Sequence, residues 1–360
     1  MITTTMTPET SQAPRFGLRP RLTLLLLVFA LLPAGFVLAT VYNASRGLLE
    51  EDAHRMLVLR ARGIAQTLDD QNESMLSIAR IVARSPRVVD GLKSKVFDQA
   101  AMVLERYRGG HGAIVQMLLL DDKGVVVVSS SGEGIGRDFS GRDTVAGALK
   151  GQSTISEVRA SSLLPGQPMV IGYASPVRDG DTVIGVLVLG VNVEQIWKRI
   201  REAAGTYGDG SFALVTDEYG IRIAHSFRED HLFRPTGTLP PAVLDKQIAG
   251  ARFGPQTARL LNEVVDEPVE YSRATSTGLP PATVARYRPN ANAVWNLSVA
   301  HRMKTVPWTV FVQVPEQAVF GSVDALWSSV VAFGLLIVVI GVVFAFVIAS
   351  RAAGQLRNMA

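Results

Sequence analysis

The sequence predicts an α+β protein, with a long N-terminal helix followed by two modules that are each built on an antiparallel sheet. The apolar runs MLLL and VVVV flank residues 121–124, whose acidic residues and glycine are typical of a hairpin turn. A helical segment at 141–151 then precedes two strands, at 169–177 and 182–193, which meet at the turn 178–181. This order favours an antiparallel sheet with helices packed on one face.

A second copy of the hairpin pattern predicts the second module. LLLDDKGVVVVSS aligns with ALVTDEYGIRIAHS when Gly124 is placed on Gly220, and Asp121 then falls on Asp217. Each copy has the order strand, acidic turn with glycine, strand.

The remainder of the second module is predicted from weaker patterns. Two strands are expected at 297–301 and 308–314, the latter because its residues alternate and are rich in β-branched types. The intervening residues 228–290 are rich in Pro, Gly, Arg and Glu, and we expect long excursions there with a short helix at 241–248.

Helical spacing of apolar residues runs from residue 44 to about residue 104. Ser85-Pro86 ends the first helix of this segment, because proline disfavours helix at the preceding residue and cannot donate within one. About 40 residues at 1.5 Å each give a helix of roughly 60 Å. Its apolar face packs along the protein's own sheets, along a second copy of the chain, or along both.

Two uncharged stretches are each long enough to cross a membrane. Leu22 to Tyr42 has 21 residues and Ala325 to Ser350 has 26. The alternative for the first is a cleaved signal peptide, but its apolar core exceeds the roughly 7–15 residues usual in such peptides.

The charge distribution predicts the topology. The chain has 36 basic and 32 acidic residues, and the tails outside the two uncharged stretches hold five of the former and one of the latter. These are Arg15, Arg19, Arg21, Arg351, Arg357 and Glu9. Basic tails predict that both termini are cytoplasmic and that residues 43–324 lie outside. The balanced charge of that outer part argues against a nucleic-acid partner.

The residue types that carry catalysis or metal binding form no recognisable constellation. The absence of cysteine excludes disulfides, thiolate nucleophiles and zinc-finger sites. His225 and His231 are near Asp217 and Glu229 in sequence, but the spacing matches no metal-ligand pair, and buried, hydrogen-bonded histidines are the better interpretation. Gly132–Gly136 lacks the Lys-Ser/Thr that a phosphate loop needs. We therefore predict no catalytic site, metal or cofactor in this chain.

The pieces DDKGVVVVSS, IGRDFSGRD, AGALKGQ and ASPVRDGDTVIGVLVLGVNVEQI resemble the membrane-distal half of a double Cache sensor domain. Such domains are PAS-like extracytoplasmic modules of bacterial histidine kinases, chemoreceptors and diguanylate cyclases. The resemblance covers roughly residues 22–350 and lies in the order and spacing of the pieces. It implies two tandem PAS-like modules, a stalk helix that is often a dimer seam, and a place in the bacterial inner membrane.

The expected domains follow from the two uncharged stretches and this resemblance. They are a cytoplasmic tail (1–21), a first transmembrane helix (22–42), stalk helices (43–110), a membrane-distal Cache module (111–205), a membrane-proximal Cache module (206–324), a second transmembrane helix (325–350) and the start of a HAMP-like cytoplasmic signalling helix (351–360).

A ligand site is predicted in the distal module. Its candidate residues are Arg142 at the start of the helical segment, Tyr173 and Ser175 on one central strand, Asn192 on the next, and Ser130 at a strand end. A guanidinium among hydroxyls and an amide suits a small carboxylate, because arginine presents a planar bidentate fork. The alternatives are a structural ion pair of Arg142 with Asp138 or Asp143, and core packing of Tyr173 with its hydroxyl bonded.

The resemblance also bears on the ligand. Arg142 matches the arginine that opens an arginine-x-aromatic-aromatic helix start in the family, but Thr144 and Val145 stand at the aromatic positions. Asn192 falls where amino-acid-sensing members carry an aspartate for the ligand's amine. Both departures argue against an α-amino acid. A carboxylate, another polar metabolite, and a module without a ligand that a partner protein contacts are the alternatives left open. In the proximal module, core residues and no second ligand are expected at Phe212, His225 and Trp308.

The resulting hypothesis is an inner-membrane receptor that binds a small solute outside the cell and signals through its second transmembrane helix as a homodimer. A histidine kinase of a two-component system is the expected output, followed by a diguanylate cyclase and a chemoreceptor, and this order rests on the family. No such output domain occurs within the 360 residues. The alternatives are a co-receptor that acts through a separate membrane partner, a membrane-anchored periplasmic enzyme, and a structural ectodomain.

Overall fold

The computed structural model describes residues 18–204, 209–276, 278 and 283–357. The helices are α1 (Leu18–Ala83), α2 (Pro86–Ser94), α3 (Asp98–Gly110), α4 (Asp143–Leu149), α5 (Glu194–Ala204), α6 (Pro241–Ala249), α7 (Thr257–Asn262), α8 (Pro268–Thr275) and α9 (Glu316–Arg357). The strands are β1 (Ile114–Asp121), β2 (Val126–Ser129), β3 (Thr154–Ile155), β4 (Arg159–Ala160), β5 (Met169–Asp179), β6 (Thr182–Asn192), β7 (Phe212–Thr216), β8 (Arg222–His225), β9 (Ala285–Tyr287), β10 (Asn296–Arg302) and β11 (Thr309–Pro315).

These elements form two compact units. Ala53–Val319 contains both sheets and is called the sensor unit below, and the second unit comprises the segments before Ala53 and after Val319. The mixed composition, the long first helix and the two antiparallel sheets agree with the predicted α+β class.

The distal sheet has the strand order β2-β1-β6-β5-β3, and β4 also pairs with β5. Its strands pair antiparallel, with Leu118 opposite Val188 and Tyr173 opposite Leu189. The hairpin turn predicted between β1 and β2 is confirmed, because Asp121 Oδ1 accepts from the backbone N–H groups of Lys123 at 3.0 Å and of Val125 at 2.8 Å.

Helices pack on both faces of this sheet, which corrects the expectation of one covered face. Tyr173 on β5 reaches Asn72 of α1 on one side. On the other side, Val145 and Ala148 of α4 join Leu118 of β1 in a hydrophobic cluster. Both faces are covered because the long β5 and β6 carry apolar side chains at odd and even positions alike.

The proximal sheet has the order β8-β7-β11-β10-β9, again antiparallel. Asp217 Oδ1 accepts from the N–H groups of Tyr219 and Ile221, each at 2.9 Å, as Asp121 does in the first hairpin. Gly220 has φ 78° and Gly124 has φ 83°, so both turns use the left-handed conformation that glycine tolerates. The internal repeat is thereby confirmed at the level of atoms, and β10, β11 and α6 occupy the remaining predicted segments.

The first helix ends at Ala83, before Pro86, as the sequence predicts. Within the sensor unit it also contacts the β10–β11 connection. Asp69 accepts hydrogen bonds from the N–H groups of Lys304 and Thr305, and Asn72 donates to Thr305 Oγ1 at 2.9 Å. The stretch of α1 around these residues therefore touches both modules.

One helical segment in the described part of the chain, Glu316–Phe344, is long and apolar enough to span a membrane. It contains most of the second predicted crossing. The first predicted crossing lies on α1, many of its side chains are outside the described residues, and it stays a prediction. Near the ends of these segments, Tyr42 donates to Asp324 Oδ1 at 2.9 Å and its ring lies 4.8 Å from that of Trp327. The expected cytoplasmic tail, apart from its last four residues, and residues 358–360 lie outside the described residues.

Candidate functional site

The sensor unit contains two adjoining cavities. The smaller, of about 60 Å³, lies in the distal module between the sheet and α4, and is called the distal cavity. The larger, of about 640 Å³, is bounded by residues of both modules and is called the cleft. Four residues line both: Arg142, Thr144, Ser156 and Arg159.

Arg142 and Arg159 are the cations that the two cavities share. Arg142 Nη2 donates to Ser162 Oγ at 2.8 Å, and its guanidinium carbon lies 3.7 Å from the centroid of the Phe139 ring. Arg159 Nη2 donates to the carbonyl of Gly250 at 2.9 Å, and its Nε is buried with no partner among the described residues. Both guanidinium groups therefore retain donors for a ligand.

The carboxylates that are near in sequence are engaged elsewhere. Asp143 lies 2.8 Å from Lys246 Nζ, and Asp138 accepts from the N–H of Ser140 at 2.8 Å. Within the described part of the chain, no carboxylate lies within 4 Å of either Arg142 or Arg159. The structural ion pair considered for Arg142 is therefore not observed.

Burial, together with the positive charges of Arg159 and Arg137, lowers the pKa of Arg142 to about 10. Burial likewise lowers the pKa of Arg159, against an opposing effect of Glu157. Both groups stay protonated at neutral pH. Their charge is under-compensated, so an anion placed between them is electrostatically favoured.

The structure separates the other predicted site residues from these cavities. Tyr173 and Ser175 lie on the face of β5 that is turned away from the distal cavity, whereas Val170 and Gly172 line it. The prediction that they share the pocket face is corrected for this reason: successive residues of a strand point to opposite faces, and the even-numbered set faces the cavity. Ser175 is buried, with its hydroxyl 3.5 Å from that of Ser153.

Ser130 and Asn192 have local structural roles. Ser130 Oγ accepts from the N–H of Met117 at 2.9 Å, which closes the end of the β1–β2 pair. Asn192 Oδ1 accepts from the N–H of Glu194 at 2.9 Å, an Asx-turn bond just before α5. Of the five predicted residues, Arg142 alone lines these two cavities.

The cleft is also lined by a charge cluster that the sequence did not indicate. Arg252 Nη1 lies 2.7 Å from Asp217 Oδ2 and 3.4 Å from Glu157 Oε2, and Arg252 Nε donates to the carbonyl of Val158 at 2.9 Å. The pKa of Asp217 is raised by burial, although Arg252 opposes the shift. Arg252 thus joins the turn of the proximal hairpin to the distal segment before β4.

Sequence patterns offered little signal for Arg159 and Arg252. Each stands alone in a short polar segment, and their importance arises from the pairing of residues 157–160 with residues 250–252. The backbone also takes part, since the N–H of Ala160 donates to the carbonyl of Arg252 at 2.7 Å.

The corresponding interior of the proximal module is filled by its own polar side chains. Arg222 Nη2 lies 3.1 Å from Glu270 Oε2, and both side chains are almost fully buried. Gln313 Nε2 donates to Glu270 Oε1 at 2.8 Å and to Tyr287 Oη at 2.7 Å.

His225 and His231 form no metal constellation in the described residues. His225 Nδ1 accepts from the N–H groups of Phe227 and Arg228, at 3.2 and 3.1 Å, and its ring stacks on Phe212 at 5.3 Å. Burial lowers the pKa of His225 to about 3 and that of His231 to about 4, so both are neutral at physiological pH. His225 is therefore the buried, hydrogen-bonded histidine that the sequence predicts, and His231 is buried with its ring edge-on to that of His225 at 5.6 Å. Phe212 and Trp308 are also buried, as expected for core residues.

One long N-terminal helix and two tandem antiparallel sheets are the architecture of a Cache-like or PAS-like fold. Residues 51–205 match the sequence model of the single Cache domain 3 family, a ligand-binding and non-catalytic module that is extracytoplasmic in membrane receptors. This match covers the distal module and the helices before it. The resemblance to Cache sensor domains is confirmed.

Solved structures share the fold over both modules. The sensor domain of the V. cholerae histidine kinase DctB is 20% identical, with a TM-score of 0.53, and the alignment covers 75% of this chain and 98% of that one. The ligand-binding domain of the Pseudomonas fluorescens chemoreceptor CtaA, in complex with L-isoleucine, is 12% identical with a TM-score of 0.53 and coverage of 77% and 98%. That of the Campylobacter jejuni chemoreceptor Tlp3, in complex with 4-methylisoleucine, is 14% identical with a TM-score of 0.53 and coverage of 75% and 94%. Among curated proteins, none matches the chain.

Proposed function

We propose that this protein is a membrane receptor that binds a small carboxylate through Arg142 and Arg159. The observation that carries the proposal is the presence of two partly buried guanidinium groups that line both cavities and have no carboxylate partner within 4 Å in the described part of the chain. A built-in ion pair would occupy the forks of these arginines, and its absence leaves them available for bidentate binding of an anion.

The volumes of the two cavities suit different parts of the ligand. A volume of about 60 Å³ accommodates a few water molecules or a carboxylate group. The cleft, at about 640 Å³, accommodates the remainder of a small metabolite. A carboxylate placed between Arg142 and Arg159 would lie where the two cavities meet.

We further propose the signalling route. The chain is anchored by transmembrane helices at both ends, functions as a homodimer with α1 as part of its seam, and transmits binding through α9. Ligand binding shifts an existing two-state equilibrium by its differential affinity for the two states. We propose that the receptor is the sensor part of a histidine kinase. The second candidate is a co-receptor that signals through a separate membrane protein. The Cache match and the shared fold with sensor domains of kinases and chemoreceptors support the receptor role.

Calorimetric titration of the full chain in lipid nanodiscs with a panel of small mono- and dicarboxylates tests the ligand class. We expect at least one carboxylate to bind with a Kd below 1 mM, about −4 kcal/mol or better, and to raise the melting temperature by mass action. Arg142→Ala should weaken this binding at least tenfold, whereas Arg142→Lys should recover part of it, because lysine keeps the charge without the planar fork.

Arg178→Ala is the matched control. Arg178 belongs to the same module but donates to the carbonyls of Gly151 and Asp181, outside both cavities. Carboxylate binding that is equally lost in Arg178→Ala, or that is unchanged in Arg142→Ala, would contradict the proposed site.

A further inference from the structure

Exposed aromatic side chains of the sensor unit are found at one end of the proximal sheet. Among the described Phe and Trp residues of this unit, only Phe227 and Trp295 are exposed, each at 48%. Val294, which adjoins Trp295 in the sequence, is exposed as well. Apolar residues that are exposed singly need no partner, whereas a group of them marks a candidate interaction surface.

The pairing of the strands shows that both rings lie at the end of the sheet where β11 passes into α9. The strand β10 begins directly after Trp295, and its first residue is paired with Pro315, the last residue of β11. The ring of Phe227 lies 5.8 Å from that of Phe212, which begins β7 beside the same end of β11. The opposite end of β11 follows Trp308, which lines the cleft. The exposed rings are therefore at the end of the sheet away from the cleft.

Trp295 is hydrogen-bonded to the start of α9. Its carbonyl accepts from the N–H of Glu316, the first residue of that helix, at 2.8 Å. The guanidinium carbon of Arg286 lies 4.9 Å from the centroid of the Trp295 ring, and the same guanidinium is paired with the carboxylate of Glu316. Backbone and side-chain contacts thus hold the ring at the level at which α9 begins.

Glu316 is also the first residue of the segment Glu316–Phe344, which is long and apolar enough to span a membrane. The uncharged stretch within this segment begins at Ala325, nine residues further along the helix, and nine residues of α-helix rise by about 14 Å. The headgroup layer extends about 5–8 Å beyond the hydrocarbon of a bilayer, and a tilt of α9 shortens the remaining distance. Exposed rings at the level of Glu316 are therefore close to the membrane surface.

We infer that Trp295 and Phe227 anchor the proximal module in the lipid headgroup layer of the membrane. The inference rests on the membrane-spanning helix of the proposed function and is independent of the carboxylate site. Tryptophan is enriched at membrane–water interfaces because its ring is apolar while its N–H still bonds to water or to headgroups. An anchor at this position fixes the height of β11 and of the start of α9 above the bilayer.

The charges beside the two rings favour a lipid surface over a charged macromolecule. The cation next to each ring is already paired within the protein, Arg286 with Glu316. The second pair is Arg228 with Asp230, at 2.7 Å. A partner bound through charge would have to exchange these pairs, whereas apolar rings enter a zwitterionic headgroup layer without doing so.

The chain has no cysteine, so a single fluorophore can be attached at a chosen position. Val294→Cys places the label beside Trp295 and leaves both rings intact. Ile135→Cys places it at an exposed site of the distal module, and Val339→Cys places it within the uncharged stretch of α9. Each full-length chain is inserted into phosphatidylcholine nanodiscs that contain a lipid with a nitroxide quencher on its headgroup or on its acyl chain. We expect the headgroup nitroxide to quench the label at 294 at least twice as strongly as the label at 135.

Removal of the rings tests whether they hold this position. Trp295→Ser together with Phe227→Ser, introduced into the Val294→Cys chain, should reduce the quenching at least twofold, because serine lacks the apolar ring. Met102→Ser is the control, since it removes an exposed apolar side chain on α3 and should leave the quenching unchanged. All three substituted side chains are exposed, so we expect the melting temperature to change little.

The label at 339 separates failure of this inference from failure of the proposed membrane receptor. Equal quenching at 294 and 135, with the label at 339 quenched by the acyl-chain nitroxide, would overturn the anchor and leave the membrane-spanning helix in place. Absence of quenching at 339 would overturn both. Quenching at 294 that persists after loss of both rings would show that α9 alone sets the position and would overturn the role of the rings. Self-quenching between labels at 294 in place of lipid quenching would assign the rings to a second copy of the chain, which also overturns the inference.

Discussion

The phenolic hydroxyl of Tyr173 donates a 2.7 Å hydrogen bond to Oδ1 of Asn72, and both side chains are 1% exposed. Asn72 in turn donates through Nδ2 to Thr305 of the proximal module. A tyrosine on the distal sheet is thereby connected through the first helix to the β10–β11 connection. Burial raises the pKa of Tyr173, so the hydroxyl stays protonated and keeps its role as donor.

Tyr173→Phe should destabilise the protein by about 1–3 kcal/mol, because it leaves the buried Oδ1 of Asn72 without a donor. Urea denaturation of the full chain in nanodiscs, followed by circular dichroism, measures this. Tyr107→Phe, at a partly exposed position on α3, should change the midpoint little. Carboxylate affinity should be unaffected in Tyr173→Phe. A variant that loses binding but not stability would return Tyr173 to the ligand site.

Arg252→Met should be among the most destabilising substitutions in the sensor unit, at about 3–5 kcal/mol, because it leaves Asp217 buried and without its cation. Addition of Asp217→Asn to Arg252→Met should restore part of the loss, and a double-mutant cycle in urea denaturation measures the coupling. Arg228→Met removes the cation of an exposed pair with Asp230 at 2.7 Å and should have little effect. Purely additive effects of Arg252→Met and Asp217→Asn would refute the coupling.

Gly124 of the first hairpin can be compared with Gly132, which has the same left-handed backbone conformation but no neighbouring atoms where a side chain would lie. An added Cβ at Gly124 would lie 2.9 Å from Ser140 Cα, whereas at Gly132, with φ 76°, it would meet nothing within 4 Å. Both alanine variants incur the cost of a left-handed residue, about 1 kcal/mol, but only Gly124→Ala adds a clash with backbone. We expect Gly124→Ala to lower the melting temperature clearly more than Gly132→Ala, and equal shifts would refute the steric argument.

Glu267 should make stability depend on pH near neutrality. Its pKa is raised to about 7 by burial, with Glu270 and Asp266 adding to the effect and the N–H of Asn290 and Arg222 opposing it. A carboxyl group whose pKa is higher in the folded than in the unfolded state favours folding while it is protonated. That contribution is complete below about pH 4.5 and is lost as the pH rises through about 7.

Glu267→Gln mimics the protonated form, so the free energy of unfolding of the variant relative to wild type should rise between pH 4.5 and 7, by about 1–3 kcal/mol. Urea denaturation at a series of pH values measures this difference. His225 and His231, with pKa values lowered to about 3 and about 4, have the opposite sign, because their contribution is lost as the pH falls below 6.5. They are present in both proteins and cancel in the comparison. A difference that is flat with pH would contradict the raised pKa of Glu267.

The elements of this fold could be predicted from the sequence because their determinants are local. Asp121 and Gly124 specify one turn, Asp217 and Gly220 repeat it, and Pro86 ends the first helix, each through bonds or steric limits within a few residues. The candidate Arg142 at the start of α4 was also recognisable, since it matches the arginine of a family pattern, although Thr144 and Val145 stand where that pattern has aromatic residues.

Only the tertiary structure decided which face of β5 meets the cavity and which charges share it. A strand presents two faces that local sequence alone does not distinguish when both are covered, so Tyr173 was assigned to the cavity although it contacts α1. Arg159 and Arg252 become significant because segments about 90 residues apart in the sequence pack together, as the bond of Arg159 to Gly250 shows. Burial and long-range pairing determine the electrostatics of the cleft, and neither is a property of a short stretch of sequence.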